Sequence, residues 1–167
     1  MTQNLRLVGA RTLTSADSNV AANFALPASS NPFKFATNAA SVHDLGNANY
    51  GAYYNWFTAT AGSTISSGNA STSICPKGWT LPTRNLMWAL YNAYGNYDSF
   101  ISATSAVKSG YWTVVESSAT GQGRMGVWWN STADNASIGG YLHFTSAVFP
   151  GSNDNKNTGA SVRCIAQ

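Results

Sequence analysis

Residues 141–150 read YLHFTSAVFP, and their alternation sets how the rest of the chain is read. In an extended strand successive side chains point to opposite faces. Leu142, Phe144, Ser146 and Val148 then share one face, and Tyr141, His143, Thr145, Ala147 and Phe149 share the other. The first set has the composition of a core. The second mixes aromatic rings, an imidazole and small polar groups, which suits a contact surface better than a merely hydrated one. The expectation is a strand that displays a binding face.

Around this stretch, Gly139-Gly140 is expected to turn the chain into the strand, with further strands at 111–115, 127–130 and 160–165. The last of these brings Cys164 within reach of Cys75. Upstream, YGAYYNWF at 50–57 reads as a strand in which Gly51 permits a bend or a close backbone approach, its aromatic residues more consistent with core than with a stacking platform. Pro82-Thr83 opens a helix with Thr83 as N-cap and Gly95 as its end, and Leu86, Leu90 and Tyr94, with Met87 and Tyr91 beside them, form its apolar stripe. A second short helix falls within 97–109, with Phe100, Ile101 and Val107 as its apolar residues. Asn31-Pro32 marks a turn. Residues 33–49 read as a long loop held to the core by Phe33, Phe35, Val42 and Leu45, and 58–73 as a polar surface loop.

The chain has 167 residues, enough for one domain with a substantial core, and a single domain over 1–167 is expected. Only 9% of residues are charged, while Asn, Ser, Thr and Gly are abundant. Neutral polar groups must therefore solvate the surface, as suits an extracellular module. The net charge of +3 comes without a Lys/Arg cluster, so nucleic acid is not an expected partner. No apolar run is long enough to span a membrane, and no basic segment followed by an apolar one opens the chain. A soluble monomer is expected, with any signal or anchor lying upstream in a longer surface protein. Cys75 and Cys164 are either a disulfide or two buried thiols; a bridge would close a loop of roughly 90 residues and stabilise by about 4 kcal/mol.

Few residue patterns of reactive chemistry are present. GQGRMG at 121–126 has the spacing GxGxxG, but nucleotide binding needs a helix after the glycines, and VWWNS is strand-like. His43 and His143 belong to no HxxxH pair, and His43 beside Asp44 reads as a hydrogen-bonded loop residue, so no metal is expected. The carboxylates show no paired pattern and no GxSxG is present, so neither catalysis nor a cofactor is expected. SNDNKN at 152–157 reads as a polar turn rather than a calcium loop. Asn69, Asn130 and Asn135 begin formal glycosylation triplets that arise readily by chance in so Asn- and Ser-rich a chain.

YGAYYNW at 50–56, CPKGWTLPT at 75–83 and GASVRC at 159–164 resemble, in that order, the Fibrobacter succinogenes major paralogous domain family. The resemblance extends from TQNLRL at 2–7, similar to the family's WMxxNL opening without its Trp, to SVRC. It implies an α+β, C-type lectin-like fold of small twisted antiparallel sheets, one or two helices and long loops. The formylglycine-generating enzymes and the variable proteins of diversity-generating retroelements share that type of fold. It further implies a Cys75–Cys164 disulfide and a bacterial cell-surface or secreted domain that binds an unidentified protein or glycan.

WWNSTA, YLHF and SVRC resemble the family's carboxy-terminal block, where diversified members vary residues on a constant scaffold. The resemblance places Asn130, Asp134, Asn135, His143, Thr145, Phe149, Asn153, Asp154, Asn155 and Lys156 at display positions. Trp129, Leu142, Phe144, Val148, Val162 and Cys164 would be scaffold. Leu86 stands where the family tends to have Glu, so the helix should be capped by Thr83 without the reciprocal bond of a capping box. Ala160 replaces an aromatic residue before SVRC. The EPN, QPD and WND motifs of calcium-dependent lectins are missing. Two other readings follow from the same residues: a formylglycine-generating-type enzyme, which needs a reactive thiol, and a structural surface-layer or appendage subunit, which needs self-association.

Overall fold

A computed structural model of the protein describes residues 2–28, 33 and 35–167; the turn expected at Asn31-Pro32 lies outside them. The elements in chain order are β1 (Arg11–Leu13), β2 (Phe24–Leu26), β3 (Val42–Asp44), β4 (Ala52–Tyr54), α1 (Trp56–Ala59), β5 (Gly68–Asn69) and β6 (Trp79–Thr80). There follow α2 (Arg84–Tyr94), α3 (Tyr97–Thr104), β7 (Tyr111–Thr113), β8 (Ser118–Thr120), β9 (Gly126–Ala133), β10 (Ile138–Phe144), β11 (Val148–Asn155) and β12 (Ile165–Ala166). The protein is α+β, with small antiparallel sheets and few helices.

Local chemistry accounts for the helix ends. The Thr83 hydroxyl accepts the Leu86 N–H at 3.2 Å, filling one of the donors that a first helical turn leaves open. Gly95 ends α2 at φ +72°, a conformation that glycine adopts without steric cost. Asn96 starts α3 in the same way, accepting the Ser99 N–H at 2.9 Å, and α3 stops at Thr104, short of Val107. The buried side of α2 is Met87, with Leu90 and Tyr91 half-buried. Leu86 and Tyr94, expected in the apolar stripe, are exposed, as is Trp88. The aromatic run at 50–57 divides into β4 and α1, because Asn55 caps a helical turn by accepting the Thr58 N–H at 3.0 Å. Gly51 has the close approach expected of it: a Cβ there would lie 2.8 Å from that of Asn4.

The main sheet runs β11-β10-β9-β5, and here the reading of 141–150 changes. The stretch is a hairpin rather than one strand. The Thr145 N–H bonds the Ala147 carbonyl at 3.0 Å, and Phe144 pairs with Val148 and His143 with Phe149. Directly opposed residues share a face, so each arm keeps its side of the alternation while Ser146 moves to the exposed tip. A register shift between Tyr141 and His143 sets Pro150 and Gly151 in a bulge of β11. Gly139 and Gly140 do not turn the chain; they lie within β10, where a Cβ would come 2.5 Å from the Trp56 ring and 2.5 Å from Asn130 Oδ1. The 152–157 segment is β11 continuing into a turn, and the terminal strand shortens to β12 with bridges at Ala160 and Ser161.

Two cores meet at β9. Trp129 enters the larger one with Tyr54, Trp56, Leu81 and Val162. Its neighbour Trp128 points the opposite way, into a second core of Met87, Phe100, Leu142, Phe144 and Val148 beneath α2 and α3. Cys75 and Cys164 form a disulfide that fastens the carboxyl end beside the larger core. Ala160, despite its small side chain, is fully buried and pairs with Tyr54. Phe33 and Val42 are buried as expected, but Phe35 is 72% exposed. His43 lies in β3 with its ring 4.2 Å from Trp112, and its neighbour Asp44 pairs with Arg6. The loop at 121–126 leads into a strand, which removes the context a nucleotide would need.

Candidate binding face

Tyr141 and His143 lie on the face of β10 whose cross-strand partners on β9 are Trp129 and Val127. That face is core where Trp129 lies and reaches solvent toward the hairpin tip. Rings follow one another along it: Trp129 to Tyr141 at 6.0 Å, Tyr141 to His143 at 5.8 Å, and His143 stacked on Phe149 at 4.6 Å. His143 Nδ1 and Ser152 Oγ are 2.9 Å apart, which fixes the imidazole edge. Burial holds the His143 pKa below its ordinary value, so the ring is neutral at neutral pH.

The expected display residues do not share one place. His143, Phe149 and Asp154 come together with Tyr141 on this face. Asp134 and Asn153 form a polar cluster elsewhere on the hairpin, where Asp134 Oδ2 accepts Arg84 Nη2 at 2.8 Å and Asn153 Nδ2 at 2.9 Å. The Arg84 guanidinium holds the Asp134 carboxyl below its usual pKa. Asn135 and Asn155 are exposed, and Asn135 closes the β9–β10 turn by accepting the Ser137 and Ile138 N–H groups. Thr145 is half-exposed at the hairpin tip and accepts the Tyr97 hydroxyl on its carbonyl.

Asn130 and Lys156, expected at display positions, are instead buried. Asn130 Oδ1 accepts the Thr132 N–H at 3.0 Å, and its carbonyl accepts Trp56 Nε1 at 2.9 Å. Lys156 lays its stem along Trp56, with Nζ 4.3 Å from the ring centre, and donates to the Ile65 carbonyl at 2.7 Å. An ammonium aimed inward at a carbonyl is held within the scaffold rather than displayed. The burial of Asn130 also removes it as a glycosylation acceptor in the folded chain.

Tyr111, Met125, Val127 and Thr158 join Tyr141 and Asp154 without having been expected there. Tyr111, Met125, Val127, Tyr141, Asp154 and Thr158 line a small cavity of about 80 Å³. A groove of about 380 Å³ continues from it along Tyr111, Asp154 and Thr158 to Phe35, Val115 and Asn157. Tyr141 was legible from its period-two position, whereas nothing local in the sequence marks Tyr111 or Val115. A separate concavity of about 420 Å³ lies between α2 and the carboxyl end, floored by Trp128 and Arg163. Burial pushes the Arg163 pKa down to about 10, which leaves it cationic at neutral pH. Each guanidinium nitrogen is bonded within the protein, to Asn4, Thr104 and Ser105, so Arg163 acts as a tie between segments. Among the described residues no three His, Cys, Asp or Glu side chains converge as a metal site would require.

Compared with protein-family models, with curated proteins and with solved structures, the chain finds no match in any of the three.

Proposed function

We propose that this protein is a non-catalytic, C-type lectin-like binding domain, displayed on or secreted from a bacterial cell, that takes a protein or glycan on the outer face of β10 and β11. The observation that carries the reading is the row Tyr141, His143 and Phe149 running into a groove edged by exposed apolar side chains. Phe149 is 46% exposed, and Phe35 and Val115, at the far end of the groove, are 72% and 84% exposed. Apolar surface gathered beside a concavity is characteristic of interaction sites. The ordered motifs, the disulfide and the hairpin sheet backed by two helices support the C-type lectin-like part. The disulfide also favours an oxidising, extracellular setting. No helix among the described residues is long and apolar enough to cross a membrane.

A glycan and protein array probed with the purified domain tests this directly. Phe149→Ser and His143→Ser should each abolish capture of the ligand while the thermal midpoint stays within a few degrees. Unfolding of both variants would make the face core and remove the reading. Diversification by a retroelement is part of the same proposal. It requires that sibling sequences vary at the exposed positions and not at Asn130 or Lys156, beside a reverse transcriptase and a template repeat.

One observation favours a second reading, the structural subunit. Leu86 and Tyr94, 44% and 37% exposed, lie with the half-buried Leu90 at intervals of four along one side of α2, an apolar stripe that a second copy would cover. Sedimentation velocity over a range of concentrations separates the two, and a monomer throughout is expected. The formylglycine-generating alternative loses its support from the thiols, because both cysteines are bridged.

A further inference from the structure

The small cavity on the binding face has a distinctive chemistry. Met125 and Val127 supply apolar lining, Tyr111 and Tyr141 supply phenol rings, and Asp154 supplies a carboxylate. The ion pairs among the described residues are Arg6–Asp44 and Arg84–Asp134, and Asp154 belongs to neither. Its Oδ1 accepts the Asn155 N–H at 2.6 Å. The nearby cation Lys156 is committed to the Ile65 carbonyl. A half-buried carboxylate among tyrosines is therefore left without a positive partner.

We propose that the notch between Tyr111, Tyr141 and Asp154 receives a lysine or arginine side chain of a protein ligand. The inference rests on the binding-face reading and narrows it, since the partner becomes a protein with an exposed basic residue rather than a neutral glycan. Three kinds of contact fit such a side chain. Aromatic faces attract cations, a carboxylate makes a charge-assisted hydrogen bond to an ammonium or guanidinium, and an apolar lining accepts the methylene stem. A neutral pyranose also stacks on tyrosine and donates hydroxyls to a carboxylate, but it brings no positive charge to offset that of Asp154. Burial, with the Asp154 charge close by, raises the Tyr141 pKa and keeps that phenol neutral.

The test is an NMR titration of the disulfide-bonded chain with three probes: Nα-acetyl-arginine amide, its neutral counterpart Nα-acetyl-citrulline amide, and methyl glucoside. The arginine derivative should produce saturable shifts of the Tyr111 and Tyr141 ring signals and the Met125 methyl. Asp154→Asn, its fold verified by a dispersed spectrum, should weaken that binding by at least about tenfold, equivalent to ~1.4 kcal/mol. The citrulline derivative should be weaker by a similar factor. Should Asp154→Asn fail to fold, added salt on the unaltered chain serves instead, because charge-based binding at this half-exposed site weakens with screening. Equal affinity for the arginine and citrulline derivatives, undiminished binding in Asp154→Asn, insensitivity to salt, or unmoved signals with every probe each overturns the inference. Shifts with methyl glucoside alone overturn it too, but leave the binding face standing. The binding face itself falls on a different result: full affinity of Phe149→Ser for a ligand found on the array.

Discussion

Phe149 lies over His143 with ring centroids 4.6 Å apart and only 18° between their planes. Burial favours the neutral imidazole, so the folded chain takes up the His143 proton later than the unfolded chain, whose value is near 6.5. Folding stability should be level above that value and decline as pH falls through it toward the lower native value. His43, whose pKa is also lowered by burial, adds a contribution of the same sign. Denaturation midpoints measured against pH should show this slope, and His143→Gln should reduce it without removing the part due to His43. A midpoint that rises as pH falls through 6.5 would mean that the native fold prefers the cation.

Phe149 and Lys156 should respond to substitution in opposite ways. Phe149→Ser alters an exposed ring and should cost no more than about 1 kcal/mol of stability. Lys156→Ala leaves the Ile65 carbonyl unpaired and uncovers Trp56, at a cost of roughly 2–4 kcal/mol. Urea denaturation of the two variants side by side checks the assignment of one to the ligand and the other to the scaffold.

The disulfide spans a sequence separation of 89 residues. In the chain-entropy model, closing a loop of that length restricts the unfolded state by about 4 kcal/mol. Paired Cys75→Ala and Cys164→Ala substitution should lower the stability by that order, read as a shift of the denaturant midpoint. An unchanged midpoint would place the stability of the carboxyl end in Arg163 and the buried pairings of Ala160 and Ser161 instead.

Two glycines of the main sheet should tolerate no side chain. A Cβ at Gly126 would fall 2.1 Å from the Phe144 ring, and one at Gly139 would fall 2.5 Å from Trp56. Gly126→Ala and Gly139→Ala should each destabilise by about 1–3 kcal/mol, the usual cost of overpacking. Gly126→Ala should disturb the core under α2 and α3, and Gly139→Ala the core around Trp56. The two are separable by following the Trp128 and Trp129 indole signals during thermal unfolding.

The α2 start and stop were legible because Thr83 and Gly95 act through bonds to their immediate neighbours. So was the inward set of Leu142, Phe144 and Val148, since period two survives a hairpin when opposed residues share a face. What the sequence hid depends on distant partners. Gly139 and Gly140 look like a turn until Trp56 and Asn130 are seen lying against them. Lys156 looks solvated until the Ile65 carbonyl, 91 positions earlier, is found to accept its ammonium. Leu86 and Tyr94 fit a helical stripe by spacing, but α2 presents Met87 to the Trp128 core and its apolar surface is rotated accordingly. Tyr111 reaches the candidate face only because its neighbours Gly110 and Trp112 are bridged to Gly126 and Gly159.

β11 is the outer strand of its sheet and carries the exposed Phe149. An unpaired edge with apolar residues invites a neighbouring chain to add a strand and propagate a fibre. Pro150, which follows Phe149 directly, has no amide hydrogen to offer, and the bulge at Pro150 and Gly151 interrupts the regular spacing of the rest. The bulge therefore makes this edge a poor template for a strand from a second copy, although an aromatic ring stands exposed beside it.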